Sequence, residues 1–256
     1  SDIHKDLYHF LVDWFEPKPT IKVQTSGSTG TPKVIEVEKK RMMQSAVLTC
    51  SFLKLKRNDT ALLCMHLKYI GAKMLVVRSL IAGLNLYVVT PEGNPLKHIS
   101  KKLDFAAMVP LQVYNAVNDT TTKEKIRNIK HLIIGGGAID ATLLEKLQHF
   151  NTNIYSTYGM TETLSHIALR KLNGEDRSDY YTTFENIKLS KSEEDTLIIE
   201  APLISEEIIR TNDIVEFIDE NRFKILGRKD NIINSGGIKI QIEQVEEILK
   251  PHIKQH

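Results

Sequence analysis

The stretch His131-Leu132-Ile133-Ile134, which runs directly into Gly135-Gly136-Gly137, is the clearest pointer to the fold. A mostly apolar run before a group of glycines is typical of a buried strand that ends in a turn. Asp140 can cap the helix that follows, whose apolar residues recur at helical spacing. The segment from Ala61 to Tyr158 repeats this order of apolar strand and helical stretch. The alternation predicts an α/β fold with a mostly parallel sheet, in which ligands bind at the carboxyl ends of the strands.

Short strands with alternating polar and apolar residues replace this pattern in the second half of the chain. Examples are Thr196 to Glu200, Ile214 to Ile218 and Arg222 to Leu226, and the short connection between the last two is hairpin spacing. We therefore expect a β-rich subdomain at about residues 165–226 that forms a small antiparallel barrel. It would complete an N-terminal domain over residues 1–230. Residues 231–256 are too few for a domain, since domains rarely fall below about 50 residues, and we expect them to begin a largely missing C-terminal domain.

The composition excludes several classes of protein. The 256 residues carry 34 Lys and Arg against 32 Asp and Glu, so the net charge of +2 gives no reason to expect a nucleic-acid partner. The longest apolar stretch, Tyr69 to Val89, contains Lys73 and Arg78, and we expect no membrane insertion. The first ten residues mix acidic and basic side chains, unlike a signal peptide. Two cysteines, Cys50 and Cys64, give no disulfide framework, which favours a cytoplasmic location.

Small and hydroxyl-bearing residues fill the loop from Thr25 to Lys33. Such a loop lets the backbone approach a polyphosphate, and Lys33 adds a positive charge. The candidate phosphate-binding residues are Thr25, Ser26, Gly27, Ser28, Thr29, Gly30 and Lys33. The loop is not a Walker motif, which needs four residues between its glycines and a Ser or Thr after the lysine. The alternative is a flexible hairpin turn between two strands.

Two further clusters follow predicted strands. Gly135-Gly136-Gly137-Ala138 offers a surface without bulky side chains for a planar base, or else forms a tight turn that needs a positive φ. In the second cluster, Tyr158 beside Gly159 offers an aromatic stacking surface and Thr161 a hydroxyl. Glu162 supplies a hard oxygen ligand of the kind that Mg²⁺ accepts beside substrate phosphates. The alternative is a solvated turn, because an isolated carboxylate is usually at the surface.

Several segments together resemble, in order and spacing, the core motifs of adenylate-forming enzymes, the superfamily of acyl-CoA synthetases, luciferases and adenylation domains. They are Thr25 to Lys33, Tyr158 to Thr163, Thr211 to Asp213, Gly227 to Asp230 and Ser235 to Gly237. The match covers about Lys22 to Leu249. The resemblance implies an acid:CoA ligase, which converts a carboxylic acid and ATP into an acyl-adenylate and pyrophosphate and then forms the CoA thioester. It also implies ATP, Mg²⁺ and coenzyme A as ligands.

The resemblance implies roles for the candidate residues. Lys33, Thr161 and Glu162 would be catalytic, serving the phosphates and the magnesium ion, with Glu162 as the metal ligand. The glycine run with Tyr158 and Gly159 would line the adenine. In the second half of the chain, the resemblance implies that Asp213, assisted by Arg228, holds the ribose hydroxyls. It also implies that Asp230 is the hinge between the two domains. The alternative for Asp213 is an ordinary turn aspartate before a strand.

The acid is indicated by a narrower resemblance. The segment from Leu67 to Leu80 and the pair Val109-Pro110 are most similar to o-succinylbenzoate:CoA ligases of menaquinone synthesis. An acid with two carboxylates needs a second positive partner, for which Lys73 and Arg78 are candidates, and Tyr155 is a candidate for its ring. The alternative for both cations is a solvated charge on a helix surface.

Departures from the family pattern leave three functions open. Asn212 stands where the family usually has Gly, and His66 where these ligases usually have Pro. No residue in 231–256 matches the lysine that, in this family, contacts the acid and the α-phosphate, so we expect this chain to bind ATP and acid but to adenylate poorly and not to complete the transfer to coenzyme A. The alternatives to a ligase are a non-catalytic nucleotide-binding remnant and an enzyme that loads a carrier protein. Homologous enzymes are often dimeric, so a homodimer is a further expectation.

Overall fold

The computed structural model describes residues 2–24, 34–235 and 238–249, and between 232 and 249 it describes the side chains of residues 242, 245, 248 and 249 alone. The chain divides into two compact units, Ser1–Glu185 and Asn186–His256. The helices are α1 (Ile3–Phe15), α2 (Lys39–Phe52), α3 (Ile70–Ala82), α4 (Pro110–Asn118), α5 (Thr120–Arg127), α6 (Ala141–Leu147) and α7 (Ile242–Leu249), with short 3-10 helices at Pro95–His98 and Lys229–Asn231.

The strands of the first unit are β1 (Thr20–Gln24), β2 (Val34–Glu38), β3 (Thr60–Leu63), β4 (Asn85–Val88), β5 (Leu103–Met108), β6 (Ile129–Ile134), β7 (Asn153–Gly159), β8 (His166–Lys171) and β9 (Tyr181–Thr183). Those of the second unit are β10 (Lys188–Lys191), β11 (Thr196–Glu200), β12 (Ile209–Asp219), β13 (Arg222–Arg228), β14 (Ile232–Ser235) and β15 (Ile238–Gln241).

The first unit begins with a helix and a hairpin. The Asp2 carboxylate accepts a hydrogen bond from the His4 backbone N–H at 3.0 Å and so caps α1. Strands β1 and β2 pair antiparallel, with Gln24 opposite Val34. The strand, loop and strand order is therefore confirmed for both strands, whereas the loop 25–33 itself lies outside the described residues.

The main sheet of the first unit confirms the predicted alternation of strands and helices. The strand order is β9-β8-β7-β6-β5-β3-β4, and the pairs from β7 to β4 are all parallel. Strands β8 and β9 continue this sheet in antiparallel pairing. The parallel strands therefore bring their carboxyl ends to one edge, which is where the glycine run after β6 and the motif after β7 begin.

Helices cover both faces of this sheet. Leu132, Ile134 and Ile154 belong to a buried cluster with residues of α4, α5 and α6. On the opposite face, Phe52 of α2 contacts the ring of Tyr155 in β7, with 5.9 Å between ring centroids. Successive residues of a strand point to opposite faces, so this division follows directly from the sequence positions.

Helix α5 was not predicted from the sequence. It reads Thr-Thr-Thr-Lys-Glu-Lys-Ile-Arg, and Ile126 is its one apolar residue, so the period of 3.6 residues gives no signal. The Asp119 carboxylate caps this helix through the Thr122 backbone N–H at 3.0 Å, and Ile126 is fully buried. A cap and a single anchoring residue are thus enough once tertiary packing supplies the rest.

The second unit contains antiparallel strands, as expected after the α/β segment. Strands β10, β11, β12 and β13 pair in that order, each antiparallel to its neighbour. Among the described strands of this unit, no pairing joins β10 to β13, so the small barrel of the sequence prediction is an open sheet. Four strands are too few to close a barrel, since even small closed barrels use five or more. Strands β14 and β15 form a separate hairpin before α7.

The domain boundary predicted at Asp230 stays a prediction, because the division into compact units falls between Glu185 and Asn186. Within the described part of the chain, no helix combines the length and the apolar character that crossing a membrane requires.

Strands β7 and β8 approach each other most closely at Gly159. Their register shifts between Tyr158 and Gly159, and a Cβ atom on Gly159 would lie 2.2 Å from the Ser165 carbonyl oxygen and 2.4 Å from the His166 Cα. Both neighbours are backbone atoms, which cannot rotate away. Only glycine fits this position without moving the start of β8.

We predict that Gly159→Ala lowers the free energy of unfolding by at least about 1–3 kcal/mol, the usual cost of forcing extra volume into a packed site. The matched control is Gly71→Ala in α3, where the nearest atom to the new methyl group would be the Met65 Cε at 3.9 Å. Urea denaturation followed by circular dichroism measures both. Equal stability of the Gly159→Ala and Gly71→Ala proteins would contradict the close approach.

Candidate functional site

The glycine run lies directly after β6, at the carboxyl end of the strand. The Gly135 backbone N–H donates to the Met108 carbonyl oxygen at 3.1 Å and so extends the pairing with β5 by one residue. Gly136 has a φ of +78°, which a residue with a Cβ rarely adopts. Gly136, Gly137 and Ala138 are all exposed. The run is thus a tight turn that also presents a surface with almost no side chains, so the two interpretations of the sequence are compatible.

Tyr155 and Tyr158 lie on opposite faces of the sheet because they are three residues apart in β7. Tyr158 shares its face with Ser156 and contacts the ring of Tyr181 at 5.9 Å, and the Ser156 hydroxyl hydrogen-bonds the Tyr181 hydroxyl at 2.9 Å. Tyr155 packs instead against Phe52 of α2. The residue predicted to stack on adenine and the one predicted to meet the acid therefore belong to different sides of the sheet.

The turn after β7 is held by Thr163, a residue that the sequence argument did not single out. Its hydroxyl accepts a hydrogen bond from the Met160 backbone N–H at 2.9 Å and donates to the Ser165 carbonyl oxygen at 2.6 Å. Inside the turn, Thr161 is buried and Glu162 is exposed. Their opposite exposure follows from the turn, because a tightly bonded loop directs adjacent side chains to different sides.

Glu162 fits the requirements of a magnesium ligand. Mg²⁺ is usually held by one or two carboxylates, and substrate phosphates and water complete its octahedron. An exposed carboxylate next to a strand's carboxyl end meets that need without a dedicated cage. Among the described residues there is no cluster of three or more His, Cys, Asp or Glu side chains that could hold a metal ion alone, so a magnesium ion here would arrive with its phosphates.

In the second unit, Asp213 and Arg228 face each other across the β12–β13 pair. The Arg228 Nη1 donates to the Asp213 Oδ1 at 3.2 Å, and its Nη2 donates to the Asp230 Oδ2 at 2.9 Å. The Asp213 side chain is 11% exposed. Because β12 starts at Ile209, Asp213 lies within the strand, and the alternative of a turn aspartate before the strand was wrong.

Asn212, the departure from the family pattern, bonds to the predicted hinge residue. Its Nδ2 lies 3.1 Å from both carboxylate oxygens of Asp230. Hydrogen bonds from Arg228 and from Asn212 lower the pKa of Asp230 below its ordinary value. The Asp230 carboxylate is thus fixed as an anion by two donors, one of which exists only because this chain has Asn at position 212.

Lys73 and Arg78, the two candidate partners for a second carboxylate, have different surroundings. Its ammonium donates to the Lys22 carbonyl oxygen at 2.8 Å and lies 5.9 Å from the centre of the Phe10 ring. Burial lowers the pKa of Lys73. These contacts join α3 to β1 and α1, so Lys73 is not simply a solvated charge, and its acid-binding role stays a prediction.

Arg78 is buried, with 1% of its surface exposed, so the alternative of a surface charge was wrong. Its Nη2 donates to the Ser165 Oγ at 2.7 Å, and its Nε has no hydrogen-bond partner among the described residues. Burial lowers the pKa of Arg78 to about 10. No carboxylate of the described residues forms an ion pair with it. A buried cation without a counter-charge is costly, which makes Arg78 a candidate for binding an anion.

The structure places three further polar residues beside Arg78 that the sequence argument missed. Ser165 precedes β8 and His166 is its first residue, and the His166 Nε2 lies 3.0 Å from the Thr49 Oγ1 of α2. The one signal in the sequence is the pair Ser165-His166 directly after the Thr161 to Leu164 turn. The residues of the candidate phosphate loop, from Thr25 to Lys33 and including Gly27 and Gly30, lie outside the described residues.

Comparison with known proteins agrees with these features. A model of the AMP-binding enzyme family matches residues 22–184. A 2-succinylbenzoate--CoA ligase of Haemophilus influenzae is 27% identical over 265 residues, which covers 96% of this chain and 56% of the relative. The corresponding ligase of Salmonella typhimurium is 25% identical, with 98% of this chain and 56% of the relative covered. The chain thus spans about half the length of the curated relatives it matches.

Solved structures show the same fold. The crystal structure of an acyl-CoA synthetase (AMP-forming)/AMP-acid ligase II-like protein from Dyadobacter fermentans matches with a TM-score of 0.85 and 33% identity, covering 98% of this chain and 72% of that one. O-succinylbenzoate coenzyme A synthetase from Bacillus subtilis, solved with ATP and magnesium ion, matches with a TM-score of 0.76 and 20% identity over 90% of this chain and 54% of that one. With the family model matching more than half of its residues, this chain belongs to the AMP-binding enzyme family.

Proposed function

We propose that this chain carries the ATP- and acid-binding part of an AMP-forming acid:CoA ligase, and that the acid is o-succinylbenzoate. The observation that carries the proposal is the edge of the sheet after β6 and β7. There an exposed glycine turn, the Tyr158 ring, the buried Thr161 and the exposed Glu162 follow two adjacent parallel strands. Ligands of open α/β sheets bind at this edge.

The reaction joins two anions, so the protein must offset their repulsion. In the first step a carboxylate oxygen of the acid attacks the α-phosphorus of ATP, the bond to the β-phosphate oxygen breaks, and pyrophosphate leaves. In the second step the thiol of coenzyme A attacks the acyl carbonyl, loses its proton, and AMP leaves. Positive charge and hydrogen-bond donors around the phosphates stabilise the charge that develops in the first step. Lys33 and the loop Thr25 to Lys33 are assigned to this task.

The nucleotide roles are distributed over the residues that the family resemblance named. The glycine run with Tyr158 and Gly159 would line the adenine, Thr161 would donate to a phosphate oxygen, and Glu162 would hold Mg²⁺. Asp213, held by Arg228, would accept hydrogen bonds from the two ribose hydroxyls. The support for this last role is the fixed and largely buried position of the carboxylate, since a rigid acceptor loses little entropy when it binds.

The proposed acid follows from the buried charge on the other face of the sheet. o-Succinylbenzoate has two carboxylates, of which one is activated and the other needs a positive partner. Arg78 has an unused buried N–H and no carboxylate partner among the described residues. Tyr155 and Phe52 lie on the same side of the sheet and offer aromatic surface for a benzoate ring. The relatives that are named 2-succinylbenzoate--CoA ligases support the same choice.

The remaining parts of the proposal concern domains and location. Asp230 would be the hinge that leads into the segment from residue 231 onward. Both cysteines, Cys50 and Cys64, are buried and unpaired, and burial raises the pKa of the Cys64 thiol to about 12, which suits a reducing cytoplasm. A homodimer stays a prediction from the resemblance.

Removal of the Asp213 carboxylate tests the ribose assignment. We expect Asp213→Ala to raise the Kd for ATP with Mg²⁺ about tenfold or more, because a hydrogen bond to a charged group contributes about 1.5–3 kcal/mol. The matched control is Asp219→Ala on the same hairpin, where the carboxylate is bonded to Arg222 and exposed. Isothermal titration calorimetry gives both values. A folded Asp213→Ala protein with the Kd of the control would refute the assignment.

The acid assignment is tested by selectivity. With ATP and Mg²⁺ present, we expect the parent protein to bind o-succinylbenzoate and Arg78→Met to lose at least about tenfold of its preference for this acid over benzoate, which lacks the second carboxylate. Arg41→Met, which removes a cation paired with Glu38 on α2, is the control. A panel that includes fatty acids and amino acids is measured in parallel. Strong binding of another acid, with none of o-succinylbenzoate, would overturn the substrate.

A further inference from the structure

A buried chain of hydrogen bonds connects α2, β8 and α3. The Thr49 Oγ1 lies 3.0 Å from the His166 Nε2, the Ser165 Oγ lies 3.3 Å from the His166 Nδ1, and the Arg78 Nη2 donates to the Ser165 Oγ at 2.7 Å. Thr49, Ser165, His166 and Arg78 are all buried. Groups buried in this way must satisfy one another, because water is not there to do it.

The direction of these bonds follows from counting protons. When the Thr49 hydroxyl donates its one proton to the Ser45 carbonyl oxygen, 3.3 Å away, its oxygen accepts from His166. The His166 Nε2 therefore carries a hydrogen, and in a neutral ring the Nδ1 is then an acceptor. Ser165 donates to that Nδ1, and its oxygen accepts from Arg78. The neutral ring with its hydrogen on Nε2 satisfies the hydroxyls of Thr49 and Ser165 and the Nη2 of Arg78.

A second proton on His166 would break this order. It would place a hydrogen on Nδ1, opposite the Ser165 hydroxyl, and a second positive charge near the buried Arg78. Burial and the charge of Arg78 both hold the pKa of His166 well below its ordinary value. The ring is also fixed by packing on Phe184, with 5.5 Å between ring centroids. The ring is therefore neutral and its orientation is fixed.

The chain of bonds ends at the guanidinium and leaves part of it unused. Nη2 is committed to Ser165, whereas Nε has no partner among the described residues. A guanidinium is planar, so fixing one terminal nitrogen restricts the direction of the other N–H groups. A carboxylate recognised by such a group gains affinity because the side chain does not have to be ordered first.

We propose that His166 is a positioning residue for acid selection: through Ser165 it orients Arg78, whose unpartnered Nε–H then binds the second carboxylate of the acid. The inference rests on the proposed function for the identity of the acid, and on the structure alone for the orientation of Arg78. It adds to the ligase a determinant that touches neither ATP nor the reacting carboxylate.

Two variants separate hydrogen bonding from packing. Gln at position 166 has a carbonyl oxygen that can accept from Ser165 and an amide N–H that can donate to Thr49, whereas Leu can do neither. We expect His166→Leu to raise the Kd for o-succinylbenzoate at saturating ATP and Mg²⁺ at least about fivefold, with the Kd for ATP unchanged and benzoate little affected. We expect His166→Gln to stay close to the parent. The control is His131→Gln at the start of β6, a buried histidine outside this chain of bonds.

A second readout does not depend on the acid. In ¹⁵N-labelled protein without ligands, the Arg78 Nε–H signal, assigned by its absence in Arg78→Met, reports whether the guanidinium is ordered and protected. We expect a sharp, slowly exchanging signal in the parent and in His166→Gln, and a broadened or rapidly exchanging one in His166→Leu. Calorimetry and this signal use the whole 256-residue chain.

The positioning role of His166 and the identity of the acid are tested by different results. Equal Arg78 signals in the parent and the folded His166→Leu protein would overturn the inference, and so would a loss of ATP affinity as large as the loss of acid affinity. If the parent binds ATP but not o-succinylbenzoate, the proposed acid is wrong. In that case the Arg78 Nε–H signal still tests the positioning role. Loss of the sharp signal in His166→Leu alone supports the role, and the same signal in the parent, His166→Gln and His166→Leu overturns it.

Discussion

The close backbone approach of β7 and β8 at Gly159 is the constraint on which the rest of the first unit's candidate site depends. Because the two strands meet there without a side chain between them, the five residues from Met160 to Leu164 must turn within one tight loop, which the Thr163 hydroxyl holds at both ends. That loop fixes where Thr161 and Glu162 stand relative to the end of β7. It also starts β8 at the position where Ser165 reaches Arg78. The residues proposed to bind the nucleotide and those proposed to bind the acid are thus positioned by the same loop.

The residues proposed to bind the nucleotide and those proposed to bind the acid include side chains on opposite faces of the sheet. Tyr158 lies on the face that packs on α4, α5 and α6, and Tyr155 lies on the face of α2. A one-residue slip of β7 would exchange these faces, which gives the register of a buried strand a functional meaning as well as a structural one. The face proposed to bind the acid also contains Arg78. Burial raises the free-energy cost of its unpaired charge and also strengthens its attraction to a bound anion, compared with the same charge in water.

Much of this fold could be predicted from the sequence, because strands such as β6 and helices such as α6 have clear apolar periods and caps. Helix α5 could not, since Ile126 is its one apolar residue and its stability comes from packing. The environments of the charged side chains could not be predicted from the local sequence either. Nothing local distinguishes Lys73 from Arg78, yet the partner of Lys73 is the carbonyl of Lys22, while Arg78 meets a residue 87 positions later in the chain. Glu162 and Asp213 could be proposed from the sequence because short motifs surround them, whereas His166 and Thr49 form a pair 117 residues apart that only the folded chain brings together.

We propose that one chain recognises both an adenosine nucleotide and a dicarboxylic aromatic acid. The most direct measurement is the affinity of the 256-residue chain for a non-hydrolysable o-succinylbenzoyl-adenylate analogue, compared with AMP and with o-succinylbenzoate measured separately by calorimetry. If both recognition functions are present, the linked molecule binds at least about a hundredfold more tightly than either half, because the entropy of bringing the two parts together has already been lost in making it. An affinity no greater than that of AMP would contradict the claim.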